Sequence, residues 1–597
     1  MLRSPIARVI PYAVLLAELL IFYRHVLFSN GYAMPLALRS RHLPIAEFVA
    51  QSFRKGEVPL WDPFTNCGVP FFADIQTQLF YPPATATVWL SNLIDGANLL
   101  DLLEWQIVLH AFLGGVLAYH LLRRLGVTIS AALLGATVFQ LGGYFASQTQ
   151  HLGAMCGGAW LPLAWLSIIE LAVRFRIRWL AALAASFTMA ALAGSPGVAV
   201  TVNVSSLLLG VIMTVFGLAR IRLLAAILGA CVWGVLLASV QLFPAFQFAA
   251  WSASRIRTDG LASTGGLPLQ SLMSLIIPNY FGIFDLSRYS APWNPDLLYV
   301  YCGVAGLVTA VIGALLWRKI RQSIVFATVT LASALWMLGD STLPGRLLVS
   351  VLPEFVRGVI HPECAMLAFS LGMAVLAGLG ATFFRPSRSP YVGAVLVFFA
   401  AFDLIAVGSD RPMNTVPLAT EPASSRTGPP PSGGLCETAR SLPRFFLVGQ
   451  VRRAASLERA LAAVREPRFD ARESAIVEDP REFRGLEPPA GGGSVRVIEY
   501  TARSVMLESH SPAPAFLVTS EAYYPGWRAF VDGRPERLAL TNVAFRGLPV
   551  PAGRHRVEMR FEPGILRYSA VVSGFAWLAW LFCFRPMSGR TVRSGKA

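Results

Sequence analysis

Two aspartates, Asp62 and Asp74, stand in the stretch GEVPLWDPFTNCGVPFFADIQTQLFYPP (residues 56–83) together with five prolines and six aromatic residues. A carboxylate held in such a stretch can take the proton of an attacking hydroxyl, provided it lies within hydrogen-bond reach. Trp61, Phe64, Phe71, Phe72, Phe80 and Tyr81 offer flat faces to a sugar or a wall to a lipid groove; belt and core packing use the same residue types. His151 and Arg255, on polar loops, and His361, beside Glu363, are candidates to hold a substrate phosphate, an arginine doing so with paired hydrogen bonds. Each candidate also has a plain structural reading. An aspartate before a proline, as Asp62 is before Pro63, commonly makes a turn, Asp74 can cap one too, and His151 and Arg255 can sit at helix ends.

The elements that must position these groups are set by composition. The chain has 597 residues, of which 55% are hydrophobic and 14% charged, and its mean hydropathy is +0.55. That is too apolar for a soluble protein of this size and implies repeated membrane crossings. Apolar stretches of about 20 residues fall near 8–25, 102–121, 129–146, 155–173, 179–195, 198–218, 223–245, 297–316, 323–339, 363–383, 390–408 and 565–584, giving about twelve spans. The first follows Arg3 and Arg8 without a small-residue cleavage site and reads as a retained signal anchor.

The formal net charge of +16 resolves into loops. With the N-terminus cytoplasmic, every second loop is basic: Arg123–Arg124, then Arg174, Arg176 and Arg178, then Arg220 and Arg222, then Arg318, Lys319 and Arg321, then Arg385 and Arg388, and finally the tail. The short loops around 148–151 and 194–197 carry no lysine or arginine, the asymmetry expected when positive charge stays inside. Three large regions then lie outside: 26–101, 246–296 and 409–564. No nucleic-acid surface is implied.

The domain reading is a membrane part over 1–408, a Pro/Ser/Gly-rich linker over 409–434 that contains ATEPASSRTGPPPSGG, an extracytoplasmic β-rich part over 435–564, and a last span with a basic cytoplasmic tail over 565–597. In the β-rich part SLERALAAVREP reads as a short helix. VRVIEYT, SVMLES, AFLVTS, WRAFVDGRPERLAL and HRVEMRFEP read as strands, with turns at Asp532-Gly533 and Pro551-Ala552-Gly553. Val557, Met559 and Phe561 alternate with Arg556, Glu558 and Arg560, so one face is buried and a small β-sandwich is expected. Cys67, Cys364 and Cys436 fall outside, where a Cys67–Cys364 disulfide is one option. No metal-ligand spacing, Walker A, dinucleotide fingerprint or GxSxG motif occurs. No cofactor is expected, and a divalent metal stays open.

The 56–83 stretch resembles the G-x-hPLW-[ND]-P…G-x-P…YP loop of the YfhO family of bacterial membrane proteins. AWLPL (159–163), VQLFP (240–244) with SASR (252–255), IIPNYFG (276–282), YCGVAGL (301–307) and SEAYYPGWRAFVDGRPERLALTNVAFRGLPVPAGRHRVEMRFEP (520–563) are similar to later landmarks of that family. The resemblance implies a GT-C type glycosyltransferase of the bacterial cytoplasmic membrane, taking a sugar from a polyprenyl-phosphate donor to an envelope glycan or teichoic-acid-like acceptor outside. It also implies an acid in the first outside loop as base. Family members usually carry one soon after the first helix, yet NGYAMPLALRSRHLP (30–44) has none. Among Glu47, Glu57, Asp62, Asp74, Asp95 and Asp101, only Asp74 and Asp62 lie within the matching motif, and they are the catalytic candidates in that order. Trp61, Tyr81, His151, Arg255 and His361 are the substrate-binding candidates, with RGVIHPEC offering Arg357 as a loose equivalent of the family's Arg-x-Pro segment.

Two other classes are open. A transporter or flippase of lipid-linked sugar requires polar groups at the bilayer midplane and often internal repeats, and no repeat is visible. A non-catalytic scaffold that binds envelope glycan fits the missing early acid. Within the spans, Glu18, Glu104, Glu170 and Asp403 are the notable acids.

Overall fold

In the computed structural model the described residues are 5–94, 96–251, 265–351, 361–384, 390–418, 442–478 and 493–584. Helices occupy every one of the expected apolar stretches. Eight among the described residues are long and apolar enough to cross a membrane: Leu99–Arg124, Ile129–Ser147, Leu152–Val173, Pro196–Val215, Arg321–Ser341, Pro362–Phe384, Tyr391–Gly408 and Gly564–Phe582. The expected 223–245 stretch is instead a pair, Arg222–Leu237 and Ser239–Trp251, bent by 79°. Two more apolar helices, Ile177–Leu192 and Val304–Arg318, are shorter, and Pro5–Phe22 opens the bundle. This is a multi-pass membrane protein, mainly helical, with a β-rich part near its C-terminus.

Local sequence explains where helices begin. Prolines occupy the first turns of Pro82–Leu93, Leu161–Val173 and Pro196–Val215, where the missing N–H costs nothing and the fixed φ favours entry. Between Val304–Leu315 and Met366–Ala381 the backbones touch. A Cβ at Gly313 would lie 2.0 Å from the Leu376 carbonyl oxygen, and one at Gly380 would lie 1.8 Å from that of Thr309. Small residues are what permit this approach in an apolar medium, which has no hydrophobic force to drive helices together.

The four acids noted within the spans are all engaged. Glu18 accepts hydrogen bonds from Thr137 Oγ1 at 2.9 Å and Gln140 Nε2 at 2.8 Å. Glu104 accepts the Met34 amide at 2.8 Å, and Glu170 pairs with Arg124. Asp403 accepts from Tyr301 Oη at 2.9 Å and from the Val304 amide at 2.7 Å, closing the first turn of the Val304–Leu315 helix. YCGVAGL is therefore a helix entry, capped from another helix.

The β-rich part has two sheets. One runs, in spatial order, Arg534–Glu536, Trp527–Val531, Gly553–Phe561, Ser504–Ser511, Ser494–Tyr500, antiparallel throughout. The other runs Phe445–Val448, Ala515–Ala522, Phe545–Val550, Ala539–Thr541, Ser474–Val477, Gln450–Arg453, with its last pair parallel. Inward residues of both sheets, among them Val557, Met559, Leu517 and Leu548, share one apolar core that continues into the bundle. Asp532 and Gly533 both have positive φ, as a two-residue hairpin turn requires, and Ser456 caps the helix Leu457–Val464. Residues 409–418, within the stretch read as linker, are stitched to the bundle: Val416 and Pro417 pair with Ala33 and Tyr32. Cys67 and Cys364 are free thiols; Cys436 lies outside the described residues.

Candidate active site

The 56–83 stretch divides in two. Its first half is a hairpin in which Asp62 and Val69 exchange both backbone hydrogen bonds at 2.9 Å, turned by Asn66, Cys67 and Gly68, all at positive φ. A Cβ at Gly68 would come within 2.5 Å of the Trp61 ring, so the indole lies flat on the turn. The other side of the ring is covered as well. Trp527 and Phe561 each stand 5.2 Å from it, and the Arg546 guanidinium lies 5.3 Å above it.

The β-rich part holds this hairpin by its backbone: Trp61 N–H donates to Ala502 O at 3.0 Å, Ala522 N–H donates to Cys67 O at 2.7 Å, and Arg444 donates to the Pro63 carbonyl. Behind these contacts Glu521, fully buried, accepts from Arg444 at 2.8 Å, from Arg546 and from the Tyr500 hydroxyl. Arg546 is itself fully buried and stacks 3.8 Å from the Trp527 ring. Two cations around one buried carboxylate make each partner costly to remove.

The second half is largely buried, with Asp74 at intermediate exposure. Asp74 caps the 3-10 turn Ile75–Thr77, its Oδ1 accepting the Gln76 amide at 2.9 Å. Its Oδ2 has no hydrogen-bond partner among the described residues. Burial raises its pKa above the usual aspartate value, against the pull of the Gln76 amide and Arg41, with a further push from Asp62. Asp62 makes the same kind of contact, its Oδ1 accepting the Phe64 amide at 2.8 Å, the turn role its sequence context suggested; what marks Asp74 is the burial that raises its pKa.

From the segment Leu38–His42, Arg41 acts on Asp74 through its charge. His42 is pushed down to about 4 by burial and by the charges of Arg41 and His151. His151 lies 3.5 Å from Asp296, a buried carboxylate whose pKa burial raises and His151 lowers. Arg41, His42 and Asp296 were not singled out in the sequence. The cluster RSRH at 39–42 was the available signal, three bases in four residues of a loop otherwise read for acids. Glu104 was also missed in this role: from the following helix it reaches the acid-free segment 30–44 through the Met34 amide.

On the far side of the turn 193–197 lies a groove of about 500 Å³ between Pro196–Val215 and Arg321–Leu338, walled by Val200, Val204, Leu208, Trp336 and Ala368, with His361 in its lining. His361 Nδ1 stands 3.3 Å from Glu363, which raises the imidazole pKa against the effect of burial. The turn joins the two places. Gln78 donates to the Ala193 carbonyl, and a Cβ on Gly194 would lie 3.2 Å from Ile75 O, while one on Gly197 would lie 3.8 Å from the His361 Cβ.

The structure therefore brings Asp74, His151 and His361 to one end of the bundle, with Asp62 on the adjoining hairpin. Trp61 and Tyr81 are fully buried. Tyr81 bonds His110 at 2.7 Å and accepts the Trp160 indole N–H at 3.0 Å, so neither ring has a face free for a sugar. Of the six aromatics only Phe64 is exposed. Arg255, Arg357 and Asp95 lie outside the described residues. Among the described residues no group of three or more His, Cys, Asp or Glu converges as a metal site would require.

Residues 493–573, the end of the β-rich part and the start of the last helix, match the family described as "Bacterial membrane protein YfhO". The resemblance carried by the sequence motifs is thus met by that family over this stretch. No curated protein matches the sequence. Among solved structures, the arabinofuranosyltransferase AftD from Mycobacteria aligns at 15% identity over 68% of this chain and 27% of its own, with a TM-score of 0.43. The oligosaccharyltransferase of Archaeoglobus fulgidus aligns at 12% over 76% and 63%, with 0.44. ArnT from Cupriavidus metallidurans, bound to undecaprenyl phosphate, aligns at 14% over 66% and 63%, with 0.35. The chain thus spans less than two thirds of each of these proteins, and likeness at this level does not fix an activity.

Proposed function

We propose that this protein is a membrane glycosyltransferase that moves a sugar from a polyprenyl-phosphate donor to a cell-envelope acceptor on the face that carries the β-rich part, outside the bacterial cytoplasmic membrane. The observation that carries this reading is the apolar groove with His361 in its lining, joined by the turn 193–197 to the Ile75–Gln78 segment that Asp74 caps. An isoprenoid chain lies in the groove with its phosphate toward the protonated His361. The acceptor hydroxyl approaches Asp74 Oδ2.

As the acceptor oxygen bonds to the anomeric carbon, Asp74 takes its proton and the bond from that carbon to the phosphate oxygen breaks. The lipid phosphate leaves with the electron pair. His361 and Arg41 meet the growing negative charge, which a leaving phosphate needs in a partly desolvated site. Burial makes Asp74 a stronger base than an exposed aspartate.

The test uses proteoliposomes of the full chain supplied with polyprenyl-phosphate sugar and envelope acceptor. Transfer that disappears in Asp74→Asn, with membrane abundance unchanged, supports the enzyme. Translocation of the donor without transfer would replace it with a flippase, and neither activity would leave a scaffold.

A further inference from the structure

A second and larger groove lies elsewhere on the bundle and has no part in the site above. It measures about 890 Å³ and runs between Pro5–Phe22, the start of Ile129–Leu141, and Pro390–Gly408. Ile10, Val14, Leu133, Val397, Phe398 and Phe402 are among its walls. The packed helices Ile129–Leu141 and Met366–Ala381 separate it from the His361 groove. From Ile10 to Ile21 its length along the helix is about 16 Å, the depth of one leaflet of a hydrocarbon core about 30 Å thick.

The mouth of this groove is charged. Arg24, Asp410 and Arg411 line it. Arg24 uses Nη2 on Asp410 and Nη1 on the Ile21 carbonyl at 3.2 Å and Ser409 Oγ at 3.4 Å. Arg411 uses Nε on Val407 O at 2.6 Å and Nη2 on Ala406 O at 3.2 Å, and its guanidinium lies 4.4 Å from the Phe284 ring. His25 stands 3.9 Å from the Asp410 carboxylate. Both guanidiniums are thereby fixed, yet Arg24 Nε and Arg411 Nη1 have no hydrogen-bond partner among the described residues. At the mouth itself two guanidiniums and one carboxylate leave one surplus positive charge, the complement of a single phosphodiester; Glu18, which lines the groove below the mouth, is taken up by Thr137 and Gln140.

We propose that this groove binds one anionic glycerophospholipid from the leaflet on the side of the β-rich part, an acyl chain along the apolar walls and the phosphodiester at Arg24 and Arg411. Asp410 keeps Arg24 aimed across the mouth and lowers its charge to the value one phosphate satisfies. The site does not depend on the glycosyltransferase reading.

Native mass spectrometry of the detergent-purified full chain, titrated with phosphatidylglycerol, phosphatidylcholine or a polyprenyl phosphate, tests it. One phosphatidylglycerol per chain is expected, about tenfold tighter than phosphatidylcholine, with affinity falling about tenfold in the double variant Arg24→Gln, Arg411→Gln. Ala401→Trp, which fills the groove and leaves both arginines in place, should lower binding similarly and covers the case in which the double variant does not fold. Equal retention of phosphatidylglycerol and phosphatidylcholine, unchanged binding in Ala401→Trp, or displacement of phosphatidylglycerol by equimolar polyprenyl phosphate would each overturn the proposal.

Discussion

The two halves of the 56–83 stretch are made of the same residue types and are held by different parts of the molecule. Around Trp61 the chain is sealed beneath the β-rich part, its ring enclosed by Gly68, Trp527, Phe561 and Arg546. Around Asp74 the chain is buried against the bundle through Phe72, Gln78 and Tyr81, and leaves a half-buried carboxylate in the field of Arg41, beside the turn that leads to His361. The hairpin of the first half is held by the β-rich part and exposes only its tip, residues 64–67; the second half is held by the helices. An aromatic, proline-rich composition thus marks a platform, and only the neighbours decide which part of it can meet a substrate.

The comparison breaks most severely at activity. Asp74→Asn should lower transfer by about 10²- to 10⁴-fold, the usual contribution of a positioned base, while leaving the melting temperature in detergent near that of the parent; retained transfer would remove Asp74 from the site. On the sealed half the large effect is on folding instead. Glu521→Ala strands two arginines, one fully buried, and should cost about 3–5 kcal/mol, read as a fall in thermal midpoint with transfer per folded molecule reduced only modestly. Trp61→Ala empties a fully enclosed site and should cost about 3–5 kcal/mol by the same measurement. A Trp61 variant that kept its stability and lost donor binding would move the boundary between the halves.

A smaller effect sharpens the half around Asp74. Asp74 must be ionised to accept a proton, so transfer should rise as pH climbs through its burial-raised pKa. His361 must be protonated to meet a phosphate, so transfer should fall as pH passes its pKa, held above the usual 6.5 by Glu363. The pH–rate profile should be a bell, and Glu363→Gln should move its alkaline limb to lower pH. The smallest effect is expected for Asp62→Asn, since the amide oxygen still accepts the Phe64 N–H; stability should change by less than about 1 kcal/mol, with transfer nearly unchanged.

The spans were legible because length and apolarity are properties of contiguous chain, and the strand at Gly553–Phe561 because its alternation is regular. The strand Phe545–Val550 was not, since FRGLPV places an arginine, a glycine and a proline where a buried strand is expected to be apolar. Arg546 is admissible there only because Glu521, on a neighbouring strand, neutralises it. Trp61 and Tyr81 were ranked for binding by residue type, and their burial depends on Trp527, Phe561, His110 and Trp160, all remote in sequence. Asp62 and Asp74 share one motif and make the same local turn contact; what separates them is the burial of Asp74 and the charge of Arg41, both set by residues outside the motif. The bases Arg41 and His42 went unranked because the segment was searched for acids alone.

The short pairing of Tyr32–Ala33 with Val416–Pro417 has an evolutionary corollary. It fixes one end of the connection between the bundle and the β-rich part, and the contacts at Cys67, Pro63 and Ala502 fix where that part lands. Descendants of this protein can therefore lengthen, shorten or rewrite that connection while the geometry around Asp74 is inherited intact.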